Sequence, residues 1–211
     1  MQTAPRPSSG RCPSTRQRGV AMTMTVERTA SPARRRILDS ASSLFYTLGV
    51  RSVSADRVIA ESGVSKVTFY RHFPTKDDLV VAYLDEQSER ERAAFLAARE
   101  RLDDDGLWRW YVESIVDAGC APGFRGCPFV NAAAEYADAT HDMRVAVARH
   151  REWVQERLAE LAVRHGVAEP KRVAQEIQML RDGALVLAAL DGRTDTIAPV
   201  LDDAGRRLLR S

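Results

Sequence analysis

The stretch SVSADRVIAESGVSKVTFYRHFPTKDDL, residues 52–79, decides the fold. Ser54 is placed to cap a helix whose Val58 and Ile59 face inward, and Gly63 breaks that helix after Ser62. Ser65 then caps a second short helix, which Pro74 terminates because proline lacks the amide hydrogen that a helix interior needs. Upstream, a helix opening at Pro32 and Ala33 repeats Ile37, Ala41, Leu44 and Leu48 at spacings of three and four, flanked by Leu38 and Phe45, and stops at Gly49. Three short helices with a glycine turn between the last two define a trihelical helix-turn-helix unit.

Between Ser65 and Pro74 there is room for barely two turns of helix, yet Lys66, Thr68, Tyr70, Arg71 and His72 all fall there. Such a crowd does not suit a core helix. A helix-turn-helix lays its second helix in the major groove of DNA, with side chains near its N-terminus at base edges. On that reading Lys66 and Thr68 meet base edges, while Tyr70 and His72 give hydrogen bonds to phosphate oxygens. Lys76 stands at the N-terminal end of the next helix, where amides and an ammonium both suit a phosphate. Phe69 and Phe73 turn the other way and dock the helix.

Charge agrees with that assignment. The net charge of +2 conceals a polarity: residues 1–80 hold 13 Lys or Arg against 6 Asp or Glu, and residues 81–211 hold 18 against 23. A basic front suits a polyanion, and an acidic back suits another task. The three cysteines, Cys12, Cys120 and Cys127, are odd in number and show no metal-like pairing, which points to a reducing cytoplasm. No apolar run approaches a membrane span. Residues 1–30 are rich in Pro, Ser, Thr and Arg, with no acidic residue before Glu27. They read as a disordered basic tail or a misassigned start, since Met22 and Met24 are available initiators; a transit peptide and a DNA-touching arm are the alternatives.

From Pro32 onward no segment alternates with period two, so the expected fold is all-α with about nine helices. A fourth helix is expected from Thr75 to about Arg101, a fifth from Leu107 to about Ala118, and a sixth from Cys127 to about Ala137 after an irregular Gly119–Gly126. The seventh spans Asp142 to His165, with the stripe Met143, Val147, Val154, Leu158 and Leu161. The eighth, from Pro170 to Asp191, has Val173, Ile177, Leu180, Ala184 and Leu187 on one face and Met179, Val186 and Leu190 on another; the ninth runs from Thr194 to Arg210. A helix apolar on two sides must be covered on two sides. Packing the last two helices on the same helices of a second copy, as a four-helix bundle with Gly183 at a close approach, satisfies that requirement, and burial inside one large monomer is the alternative. The domain organisation expected is a tail at 1–30, a helix-turn-helix domain at 31–77 and an effector-binding and dimerisation domain at 78–211.

The segment VSADRVIAESGVSKVTFYRHFPTKDDLV, residues 53–80, resembles the signature of the tetracycline repressor family of bacterial regulators, and the likeness covers about residues 34–80. The turn S-G-V-S, the run T-F-Y-R-H-F and the following K-D-D-L carry it. The resemblance implies that Val67, Thr68, Tyr70 and His72 lie on the DNA face and that Lys76 holds a phosphate; Val67 stands where relatives often have a smaller residue. With Ser65 and Lys66 these are the DNA-binding candidates. GFRGCPFVNAAAEYAD (123–138) and LRDGALVLAALDG (180–192) are similar, more loosely, to parts of the family's effector and dimerisation domain. That likeness implies a homodimer with a ligand cavity in each subunit.

Candidates to line such a cavity are Trp108, Tyr111, Ile115, Phe124, Cys127, Phe129, Asn131, Tyr136, Trp153, Gln178 and Asp182, although aromatics at helical spacing are more often plain core. Cys127 precedes Pro128, which makes it an N-cap with proline at the first helical position. A thiol at a positive helix end near Arg125 could serve as a redox or electrophile sensor, or simply pack the helix start. Glu135, His141, Asp142 and His150 share no helix face at ligand spacing, so no metal is expected. No cofactor is expected either, and no phosphate loop, G-x-S-x-G, H-E-x-x-H or C-x-x-C motif marks an enzyme. The expectation is a ligand-responsive dimeric regulator, a repressor released from its double-stranded DNA operator by an unknown small molecule, bacterial, cytoplasmic and nucleoid-associated, with no membrane partner. A nonspecific architectural DNA binder is the competing class.

Overall fold

Two serines frame the helix-turn-helix. In the computed structural model, which describes residues 31–192 and 194–211, Ser54 accepts a hydrogen bond from Arg57 N at 3.2 Å and Ser65 accepts one from Thr68 N at 3.1 Å. These caps open α2 (Ala55–Ser62) and α3 (Lys66–His72), which follow α1 (Pro32–Leu48). Gly63 takes the left-handed conformation at φ 64°, the turn that only glycine adopts without strain. The remaining described helices are α4 (Lys76–Arg99), α5 (Asp104–Cys120), α6 (Pro128–Glu135), α7 (Asp142–Arg164), α8 (Pro170–Asp191) and α9 (Thr194–Leu208). The described residues are all-α, nine helices without a strand. The tail expected at 1–30 lies outside them.

The chain packs as two units. One holds the helix-turn-helix, α4 as far as Leu96, and Cys127–Trp153; the other holds Ala97–Gly126 and Val154–Ser211. These packing units are cut elsewhere than the functional boundary expected between 77 and 78, because α4 runs unbroken through that point and α6 packs with the helix-turn-helix.

In the first unit Ile37, Ala41, Val53, Val58, Phe69, Phe73, Leu79 and Val80 are buried together, and the Phe45 ring meets Tyr83 edge-on at 5.8 Å. Each large side chain withdrawn from water in this way contributes about 2 kcal/mol. In the second unit Trp108 is fully buried, donates from Nε1 to Asp202 Oδ1 at 2.7 Å, and lies over Gly205.

Five helices differ from their expected limits, the seventh only in ending at Arg164, one residue before His165. The fifth starts three residues early, since Asp103 caps it by accepting from Gly106 N at 2.8 Å and Asp104 and Asp105 sit in the first turn, where the helix dipole favours acids. It also runs on to Cys120, which shortens the loop before α6. Thr75 lies outside α4 as its cap: its hydroxyl accepts from Asp78 N at 3.0 Å while Asp78 Oδ2 accepts from Thr75 N at 2.9 Å, a reciprocal capping box. The sixth ends at Glu135 instead of Ala137, and α9 ends at Leu208. On α8 the buried stripe runs through Val173, Ile177, Ala184, Leu185 and Ala188, while Leu187, grouped in the sequence with Val173 and Ile177, is 49% exposed.

Candidate nucleic-acid interface

The α3 helix and its C-cap Phe73 present a buried and an exposed side, with Thr68 and His72 half-buried between them. Phe69 and Phe73 are buried, with their rings 6.3 Å apart, and Arg34 of α1 stacks over Phe73 at 5.0 Å. The opposite face carries Lys66, Val67, Tyr70 and Arg71, all exposed. Val67 is 79% exposed and Phe69 0%, two positions apart on one short helix. Arg71, absent from the expected contacts, shares the outward face, and the run Y-R-H contained its signal.

Other expected contacts are engaged inside the protein. Ser65 Oγ lies 2.9 Å from Thr68 Oγ1, so the cap and the half-buried Thr68 serve each other. Lys66 Nζ donates to Asp56 Oδ1 of α2 at 3.1 Å, and the hydrogen bond and charge of Asp56 hold the ammonium above the usual lysine range. His72 Nε2 is 3.4 Å from Ser31 Oγ, a long contact that ties the C-terminal end of α3 to the start of α1. Lys76 is half-buried at the start of α4, and burial pushes its pKa down, while Asp77 and Glu135 pull it up and Arg51 lowers it. The surface thus presents guanidinium and ammonium groups around a short helix with an apolar and aromatic edge, chemistry suited to phosphates and base edges.

Behind this surface lies a contact that nothing local in the sequence announced. Glu135, at the end of α6, accepts from Val50 N at 2.9 Å and from Arg51 N at 2.6 Å, the turn between α1 and α2. Tyr136 lies beneath the Arg51 guanidinium at 5.8 Å and 4.7 Å from the His141 ring, and His141 Nε2 faces Asp77 at 3.3 Å.

The effector candidates fall in both units. In the first, Phe129 is buried and stacked on His150 at 3.6 Å; His150 Nδ1 lies 3.0 Å from Ser88 Oγ and its Nε2 3.4 Å from Glu91 Oε2. Trp153 meets Phe95 edge-on at 5.7 Å under Arg92. Asn131 and Tyr136 are half-buried, and Cys127, 6% exposed, caps α6 through its backbone without a side-chain hydrogen bond to the helix end. In the second unit Trp108, Tyr111 and Ile115 are core, Phe124 and Asp182 are half-buried, and Gln178 is buried with its Oε1 accepting no hydrogen bond among the described residues. Among the described residues no cluster of three metal-ligating side chains occurs, and no helix is long and apolar enough to cross a membrane.

A capped trihelical unit with an outward third helix, followed by six further helices, defines a helix-turn-helix protein with an all-α body. Residues 37–83 match the family described as bacterial regulatory proteins, tetR family. The chain is 40% identical to a TetR-family transcriptional regulator from Streptomyces coelicolor, over 84% of this chain and 94% of that one, with a TM-score of 0.80. It therefore belongs to the TetR family of transcriptional regulators, whose members are not enzymes. Among curated relatives, the HTH-type transcriptional regulator UidR of Escherichia coli is 34% identical over 87 residues, and LmrA of Bacillus subtilis 28% identical over 125. The match spans 41% of this chain and 43% of UidR, less than half of either.

Proposed function

We propose that the chain is a dimeric DNA-binding regulator that a small molecule releases from its operator, acting as a repressor in the bacterial cytoplasm on nucleoid DNA. The observation that carries the reading is α3: a helix of seven residues with one face fully docked and Val67, Tyr70, Lys66 and Arg71 facing outward. Val67 and Thr68 fall at the N-terminal turn, where base edges are read; Ser65, Tyr70, His72 and Lys76 surround it as phosphate or base contacts.

Support for the dimer comes from the last two helices. Met179 is 67% exposed and Leu190 75%, with Val186, Leu187 and Val200 also outward. A groove of about 470 Å³ lined by Glu176, Met179, Leu180, Ala204, Arg207 and Leu208 opens between α8 and α9, and among the described residues nothing comes within 4 Å of a Cβ at Gly183. An apolar face of this kind calls for a second copy in two-fold symmetry. The effector binds the conformation in which two α3 helices no longer match major grooves about 34 Å apart. Of the effector candidates, Gln178 is the polar group best suited to orient a ligand, because its buried carbonyl oxygen has acceptor capacity to offer. A thiol-reactive effector would act at Cys127, whose burial means that a reagent reaches it only when the start of α6 opens.

Fluorescence anisotropy on DNA from the chain's own upstream region and on random DNA, at several salt concentrations, tests the reading. A specific regulator binds its site at least about 10³-fold more tightly than random DNA. Equal affinity for every sequence, including sites selected from a random pool, would leave an architectural binder.

A further inference from the structure

We propose that Glu135 is a positioning residue for DNA binding: its carboxylate holds the turn that sets α2 and α3 against α1. The proposal rests on the reading of α3 as the DNA-contacting helix. The turn begins at Gly49, whose φ of 89° belongs to glycine, and presents two successive amides. Val50 N donates to Oε1 and Arg51 N to Oε2, so one carboxylate fills a concavity of backbone N–H groups of the kind that binds anions. The fit is close, for a Cβ at Gly49 would stand 3.0 Å from Oε1. The acceptors lie 85 and 84 positions away in the chain, outside the helix-turn-helix itself.

The end of α6 that carries Glu135 is secured independently. Arg144 donates to the carbonyl oxygen of Tyr136 at 2.8 Å and, at 3.4 Å, to that of Ala133, which also accepts from Tyr136 N at 3.3 Å. Tyr136 packs under Arg51 and against His141, which faces Asp77 beside Lys76. Glu135 therefore joins α6 to the α1–α2 turn within a network that also reaches the start of α4, and all of it lies in one packing unit.

Reading base edges requires α3 to be held within a fraction of an ångström, whereas attraction to phosphates does not. The clamp should thus matter for sequence choice more than for affinity to DNA in general. Two variants separate geometry from charge. Glu135→Gln keeps the shape but turns one of two acceptor oxygens into a donor facing an amide. Glu135→Asp keeps the charge but falls one methylene short of spanning both amides.

The experiment takes a site selected by the wild-type protein from a random DNA pool and measures both variants on it and on random duplex across a salt series, with amide exchange at Val50 and Arg51 and thermal melts alongside. In both variants the two amides should exchange at least tenfold faster and affinity for the selected site should fall about tenfold, the scale of one good base contact. Random-duplex affinity should hold for Glu135→Asp and rise for Glu135→Gln, which removes a negative charge near Lys76. An aspartate variant matching wild type on the selected site would mean that only the charge matters and would overturn the proposal. So would a parallel fall on both DNAs that tracks melting. If the wild type selects no sequence at all, the reading of α3 fails and the proposal falls with it; a wild type that selects while the variants keep its specificity refutes Glu135 alone.

Discussion

Gly205 faces the indole of Trp108 so closely that a Cβ would sit 2.0 Å from Cζ2, and the indole cannot retreat while Nε1 is held by Asp202. Gly205→Ala should therefore destabilise the protein by about 3 kcal/mol, read as a lower urea midpoint with an unchanged slope. Tyr83 carries a pH signature: burial first, then Tyr46 and Cys127, push its phenol well above the usual tyrosine range. The folded state thus keeps a proton that the unfolded state releases near pH 10. Stability from this group is complete below that pH and is lost as pH rises through the higher folded value, so Tyr83→Phe should flatten the alkaline arm of a stability profile above about pH 10. At Cys127, burial predicts alkylation by iodoacetamide slower than that of free cysteine, and intact mass after a timed pulse checks it. A thiol labelled faster than free cysteine would instead favour the electrophile-sensing role.

Elements were legible where the signal is local. Ser54, Gly63, Ser65 and Pro74 delimit α2 and α3 by side-chain chemistry within a few residues, and the structure uses each as expected. The start of α5 was misplaced because the acidic run 103–105 reads as a breaker, while physically Asp103 is a cap and its followers suit the positive helix end. Leu187 was misassigned because a helix apolar on two sides leaves its phase ambiguous. Glu135 was invisible as a clamp, since its partners are backbone amides in a distant turn and backbone amides have no sequence signature. The Thr75–Asp78 capping box offers a test at this scale: Thr75→Ala should cost about 1 kcal/mol in a denaturant melt.

For the whole molecule, the outward face of α8 and α9 predicts that Leu190→Glu gives a monomer by analytical ultracentrifugation and weakens operator binding at least tenfold, because paired half-sites then bind one at a time. The residues proposed to line an effector cavity were not separable from core in the sequence, since cavity walls of this kind are built of core-type residues. The Lys66–Asp56 pair has a further bearing on the assembled protein. On the proposed binding mode, a Lys66 ammonium that moves to a phosphate would leave one anion for another, and the Asp56 carboxylate would gather a cation from solution. DNA association at this point would then be an ion exchange with almost no net release of salt. The dimer repeats the exchange twice, so the slope of log affinity against log salt should be shallower than the tally of cations on its DNA face.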